Sequence, residues 1–340
     1  MTRFKSAIFT AFTVSMLSTA AYAAEIKSIA ILTPEQGTDF GWNQQGAEGA
    51  KAAGKATGVE VITAENLGYG DIRPTLRELA EEGHGLLIAH AGGYNTAATE
   101  IGTEAKIKVA IVDSPASLKK DAVADYTASG HAGAYLAGRL AAKMSRTGTV
   151  GIVTSGEPPS WNAQSSAFAE GVKAEKTSVT VRYAVIGPAA YSDAAGGKRV
   201  TESLIAAGAD IIFGQGNGSS FGMLQAVETT KATDGGKVFF IDVIGNKTTI
   251  DKGFLLSSVL WNLTPIYTAM IEDIKADKYG SRNYNISLAD DSVSLLKTPQ
   301  IPDDVWTSVM DIRDKMIKGE IKVEAKFDAA SVHALVTQMN

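Results

Sequence analysis

The chain has 340 residues, 45% of them hydrophobic and 20% charged, with a formal net charge of −5 and no cysteine. That length supplies apolar material for about two cores, and the acidic balance gives no basic footprint for nucleic acid or anionic lipid. Without cysteine there is no disulfide, no thiolate metal site and no lipid-modified N-terminal cysteine, and His84, His90, His131 and His333 fall at no metal-ligand spacing.

Residues 1–23 read as an export signal rather than as fold. Arg3 and Lys5 form a basic start, residues 7–17 an apolar stretch, and Ala21-Tyr22-Ala23 a small-x-small cleavage site. Cleavage before Ala24 is expected, releasing a mature chain of about 317 residues into the periplasm without a lipid anchor. No later apolar run approaches the ~20 residues needed to span a bilayer.

A strand over 26–32 opens the mature chain and ends in the turn Gly37-Thr38-Asp39-Phe40-Gly41-Trp42-Asn43-Gln44-Gln45. A helix over 43–57 keeps one face small through Ala47, Ala50 and Gly54. A strand over 59–64 follows, then a helix that Asp71 caps, Pro74 enters and Gly83 closes. The strand over 86–91 ends in Gly92-Gly93-Tyr94-Asn95, a helix spans 96–105, and the strand over 108–112 ends at Asp113-Ser114. These strands lack alternation, as strands buried on both faces of a parallel sheet do.

Residues 123–126 lead into a helix over 130–144, the crossover to a second lobe with the same grammar. Strands are expected over 149–154, 178–186, 209–213 and 237–241, the last ending at Asp242, with helices over 164–176, 192–207 and from the 214–221 turn to about 231. A return strand over 255–260, a crossing helix over 264–276 and an amphipathic helix over 302–318 complete the chain. The expected fold is α/β: two Rossmann-like lobes with parallel sheets joined by a multi-crossover hinge. One lobe comprises 25–127 plus 262–285, the other 128–261 plus 286–340.

Polar and aromatic residues recur at the carboxyl ends of successive strands, where open α/β sheets bind ligands. They are Asp39, Phe40, Trp42 and Asn43; Gly93 and Tyr94; Asp113; Trp161 and Asn162; Gly216, Asn217 and Phe221; and Asp242. The rings supply stacking faces and the Asn and Asp side chains supply donors and acceptors, which suits a flat polar heterocycle or a sugar. The 214–218 turn lacks the Lys-Ser/Thr of a P-loop, and Ser219 breaks G-x-G-x-x-G, so phosphate is not indicated. There is no G-x-S-x-G and no evident acid–base partner for Asp113 or Asp242. The residues therefore point to binding, with no catalytic residue, metal or cofactor expected.

Several runs carry a resemblance to a known family. Asp39-Phe40-Gly41-Trp42-Asn43-Gln44 resembles a family pattern D-x-S-F-N-Q, and Ala132-Gly133-Ala134-Tyr135-Leu136-Ala137-Gly138 and Gly208-Ala209-Asp210-Ile211-Ile212-Phe213 follow in order. Residues 216–222 and Ile241-Asp242 continue the run. Over residues 26–297 the chain resembles the basic membrane protein (PnrA-like) family of ABC-importer substrate-binding proteins, which have the periplasmic-binding protein type I fold. The resemblance implies a monomeric two-lobed receptor that closes over a small ligand, often a purine nucleoside in this family, and docks on an ABC permease in the inner membrane. It would make Trp42 the ring that stacks on the base, Asn43 and Asp113 the readers of its edge, and Asp242 the holder of ribose hydroxyls.

Three departures bear on the ligand. The family's Asp-x-Asp-Gln is Asp242-Val243-Ile244-Gly245 here, its Arg-Phe pair is Ala163-Gln164, and Trp261 stands where a lysine often follows the return strand. A purine nucleoside, a free nucleobase or another flat heterocycle therefore all stay open as the ligand. Two other function classes stand beside the importer receptor: an exported sensing module for a chemoreceptor or kinase, and a nucleoside hydrolase using Asp113 or Asp242.

Overall fold

The computed structural model describes residues 26–339, so the export-signal reading of residues 1–23 lies outside them. The chain begins β1 (Ser28–Leu32), α1 (Trp42–Thr57), β2 (Glu60–Ala64), α2 (Arg73–Glu81), β3 (Leu86–Ala89), α3 (Asn95–Glu104), β4 (Lys108–Val112) and β5 (Val123–Thr127). It continues α4 (His131–Met144), β6 (Thr149–Thr154), α5 (Pro159–Glu175), β7 (Thr180–Val185), α6 (Ala194–Ala206), β8 (Ile211–Gln215), α7 (Ser219–Thr229) and β9 (Phe239–Ile244). It closes with β10 (Leu255–Trp261), α8 (Thr264–Lys275), β11 (Tyr284–Asn285), β12 (Val293–Leu295), α9 (Asp303–Ile317) and α10 (Ala329–Thr337).

Two six-stranded sheets result among the described residues, ordered β11-β5-β4-β3-β1-β2 and β12-β10-β9-β8-β6-β7. Every pairing is parallel except β10 with β12. Both sheets are doubly wound. Their order reverses between β1 and β3 in the first and between β6 and β8 in the second, and crevices at such switch points bind ligands. Three stretches join the sheets: 128–130, 262–263 and 286–292.

The packing follows from side-chain size. Helix α1 buries Gly46, Ala47, Gly49, Ala50, Ala53 and Gly54, and so lies close on its sheet and against α8. A Cβ on Gly46 would overlap the ring of His90. In the second lobe, Phe168 of α5 stacks on Phe213 of β8, with centroids 4.4 Å apart and planes at 3°. Helix α4 packs along α5, and α9 and α10 cover α4 and α5 in turn.

The structure corrects several expected boundaries. Helix α5 begins at Pro159, so Trp161 and Asn162 stand in its first turn rather than in a loop. Proline at this position gives up an N–H that would have no helical partner anyway. Strand β8 runs through Gln215, and β9 runs to Ile244 with Asp242 inside it rather than at its end. The N-cap of α2 is Ile72, while Asp71 accepts the Arg73 N–H at 3.1 Å. Strands β11 and β12 and helix α10 were not expected at all.

Candidate functional site

The two switch points face each other across a cavity of about 570 Å³. Its first-lobe wall includes Pro34, Trp42, Tyr69, Gly92, Gly93, Asn95 and Asp113; its second-lobe wall includes Pro158, Pro159, Ser160, Trp161, Tyr191, Asn217, Ile244 and Trp261.

The loop after β1 is built to present Trp42. The carboxylate of Asp39 accepts the backbone N–H groups of Gly41, Asn43 and Gln44, each at 3.0 Å, and the Asn43 amide at 2.8 Å. These bonds satisfy donors that the first turn of α1 leaves free. The Asn43 amide oxygen accepts the Glu35 N–H at 3.3 Å, so both ends of the Asn43 amide help to hold the loop. The Trp42 indole N–H donates to the His90 carbonyl at 2.9 Å, and its ring lies 3.7 Å from the His90 ring at 10°. One face of Trp42 is thus covered, and the Trp261 ring stands perpendicular to it with centroids 6.1 Å apart.

His90 is the backing plate. Its Nε2 lies 2.9 Å from the Trp42 carbonyl, which can only accept, so Nε2 carries the proton. Nδ1 then accepts from the Tyr126 hydroxyl at 2.6 Å, with the Tyr267 hydroxyl 3.1 Å away. Burial drives the imidazole down to about 3, so it is neutral at physiological pH.

Asp113 directly follows β4 and lies in the left-handed region (φ 52°), where a short polar side chain is tolerated. Burial pushes its carboxyl up to about 6; the Ala128 N–H at 3.4 Å and the Ser160 hydroxyl of the second lobe oppose that rise. Asp113 is the one carboxylate on the wall among the described residues, and no lysine, arginine or histidine lines it. Tyr69 of the first lobe meets Tyr191 of the second with ring centroids 5.8 Å apart, and Trp161 stands edge-on to Tyr191 at 5.4 Å. The amide oxygen of Asn217 and the indole N–H of Trp261 are buried with no partner among the described residues.

Of the expected site residues, Trp42, Gly93, Asp113, Trp161, Asn217 and Trp261 come together on this wall. The others stand outside it. Asp39 and Asn43 are engaged with each other. Tyr94 donates to the Gly68 carbonyl, and Asn162 donates to the carbonyls of Glu157 and Phe327 at 3.0 and 3.2 Å. Gly216 sits where a Cβ would overlap the Ser219 hydroxyl. Phe40 packs edge-on to Phe221 at 6.1 Å. Asp242 is buried in an ion pair with Lys247; burial raises its carboxyl above the ordinary value and Lys247 opposes the rise.

Sequence reasoning missed Tyr69, Tyr191 and Ser160, while Asn95, part of the expected 92–95 strand-end turn, stands on the wall. Tyr69 and Tyr191 follow β2 and β7, so the strand-end rule applied to those two strands would have found them. No group of three or more His, Cys, Asp or Glu among the described residues could hold a metal ion. No helix among them is long and apolar enough to cross a membrane.

Two doubly wound parallel lobes, joined by three crossings around an aromatic cleft, define a two-lobed ligand-binding protein of the periplasmic-binding type I fold. Residues 26–326 match the family described as ABC transporter substrate-binding protein PnrA-like, and the chain belongs to that family. It is 24% identical to the ABC transporter nucleoside-binding protein BmpA of Lactococcus lactis, over 87% of this chain and 89% of that one. It is 23% identical to a purine-binding protein of Brucella abortus, over 90% of this chain and 85% of that one. Among solved structures, an ABC transporter solute-binding protein of Aeropyrum pernix superposes with a TM-score of 0.77 at 20% identity, covering 92% of this chain and 97% of that one.

Proposed function

We propose that this substrate-binding protein works in the periplasm and captures a flat, N–H-bearing heterocycle of the purine class, as base or nucleoside, for an ABC permease. The observation that carries the reading is the pairing of Trp42 with Asp113. Trp42 is a rigid plate backed by a neutral imidazole, and Asp113 is an acceptor with little solvent of its own. A planar ring stacks on the first and donates N–H groups to the second. A wall with no cationic side chain gives no partner to a phosphate or carboxylate ligand. The relatives named for nucleosides and purines support the same class.

In this reading the six wall residues named above are the ligand contacts, and the remaining expected residues hold the loops that present them. The lobes, 25–127 with 262–285 and 128–261 with 286–340, close on the ligand about the three crossings, and the closed form docks on the permease. The test is intrinsic fluorescence, since Trp42, Trp161 and Trp261 all line the cavity. Titration of the mature protein with hypoxanthine, adenine, guanine and their ribosides should give a saturable change for at least one of them. A flat signal across that series, with a saturable one for a monosaccharide, would overturn the reading.

A further inference from the structure

Lys247 follows β9 in the second lobe and has no solvent exposure. A buried ammonium needs partners, and those of Lys247 come from both lobes. Its Nζ is paired with the Asp242 carboxylate of its own lobe. It donates to the carbonyl of Phe40 in the first lobe at 3.4 Å, and it lies 5.5 Å over the Phe221 ring. Phe40 holds a left-handed backbone (φ 49°), with its N–H donated to the Gln44 side chain at 3.0 Å. Two residues on, the same loop presents Trp42. Gly245 lets the lobes meet here, because a Cβ on it would overlap the Phe40 carbonyl oxygen.

Neither Asp242 nor Lys247 lines the cavity. We propose that the buried Asp242–Lys247 pair positions the first lobe's 40–42 loop, fastening Trp42 over bound ligand, and that the Asp242 carboxylate does not itself hold ligand hydroxyls. This rests on the ligand-binding reading above. Closing the lobes brings the Phe40 carbonyl onto Lys247 and shuts the ammonium from water, and the carboxylate of Asp242 makes that burial tolerable. Removing Lys247 alone leaves Asp242 to be buried uncompensated each time the lobes close. Replacing both charges by neutral groups of similar size removes the penalty together with the pair. Single loss with double recovery is the signature of a positioning pair. A ligand-contacting carboxylate would give loss in both.

The test compares wild type, Lys247→Met, Asp242→Asn and the double variant, titrated calorimetrically with hypoxanthine and inosine after melting curves show that each is folded. Lys247→Met should weaken both probes by the same factor, about tenfold or more, mainly through faster dissociation. The double variant should return to within about threefold of wild type. A double variant as weak as the single one, or a loss confined to inosine, would overturn the proposal and make Asp242 a ligand contact.

A second readout is independent of the ligand. The chain has no cysteine, so Lys51→Cys and Lys231→Cys, both at exposed positions on different lobes, accept a fluorescence energy-transfer pair. The closed population should fall in Lys247→Met and recover in the double variant, and an unchanged population would overturn the proposal. Failure of wild type to bind any purine, with this recovery intact, would sink the ligand class and leave the positioning pair standing.

Discussion

Replacing Asp113 by asparagine should make the protein more stable and worse at its task. The carboxyl titrates near 3.8 when unfolded and is pushed up to about 6 by burial in the native cleft. Between those values the native state binds more protons than the unfolded one, so stability falls as pH rises from about 4 to about 6, and levels off above. The cost of holding the ionised form is about 3 kcal/mol at most, and about 2 kcal/mol once the partial exposure of the side chain is allowed for. Asparagine mimics the neutral carboxyl. Asp113→Asn should therefore melt alongside wild type near pH 4 and roughly 5 °C above it at pH 8. Its affinity for hypoxanthine at pH 8 should drop by roughly tenfold to a hundredfold, because a charge-assisted acceptor has become a neutral amide. Calorimetric melting across pH 4 to pH 8, with titration calorimetry at pH 8, measures both effects. Equal melting temperatures at pH 8, or unchanged affinity, would refute the assignment of Asp113 as a buried ligand acceptor.

Three further substitutions separate lobe stability, closure and stacking. Phe168→Ala removes a fully buried ring stacked on Phe213 and should cost about 3–5 kcal/mol in guanidinium unfolding of the second lobe; a cost below about 1 kcal/mol would mean the ring is not close-packed. Gly245→Ala places a methyl group where the Phe40 carbonyl stands, so dissociation of hypoxanthine, followed by stopped-flow fluorescence, should quicken by about tenfold with little change in melting temperature. Trp42→Ala should weaken hypoxanthine by about tenfold or more, and Trp42→Phe should retain most of the affinity because a ring still covers His90; equal losses in the two variants would point to the indole N–H and not to stacking.

The fold was legible where the chain is apolar without alternation. Segments such as 86–91 and 149–154 are short apolar runs that end in glycine-bearing turns, which reads as strands covered on both faces, and β3 and β6 lie within them. Two or three residues of edge strand, as in β11 and β12, carry no period to read. Asp242 stands at the end of the strand expected over 237–241, yet β9 carries it inside. Its compensating partner Lys247 lies five residues on and reaches back from a turn, a pairing that local reading does not reveal. At the site, Trp42 and Asp113 were visible as chemistry that strand-end turns do not need for packing. Asp39 and Asn43 carried the same signal, yet the structure uses both to hold the loop. Residue type alone does not separate a polar group that meets a ligand from one that shapes the turn presenting it. His90 was passed over as a lone histidine, and its part emerges only once Trp42 lies flat upon it.

The central claim is that this cleft selects a flat heterocycle with N–H donors. Thermal melting of the mature protein against purine bases, their ribosides and monosaccharides tests it most directly, since a ligand that binds only the folded state raises the melting temperature as its concentration rises. A rise of several degrees is expected with at least one purine base or nucleoside at roughly millimolar concentration, and none with sugars. A rise with a monosaccharide and none with any purine would contradict it.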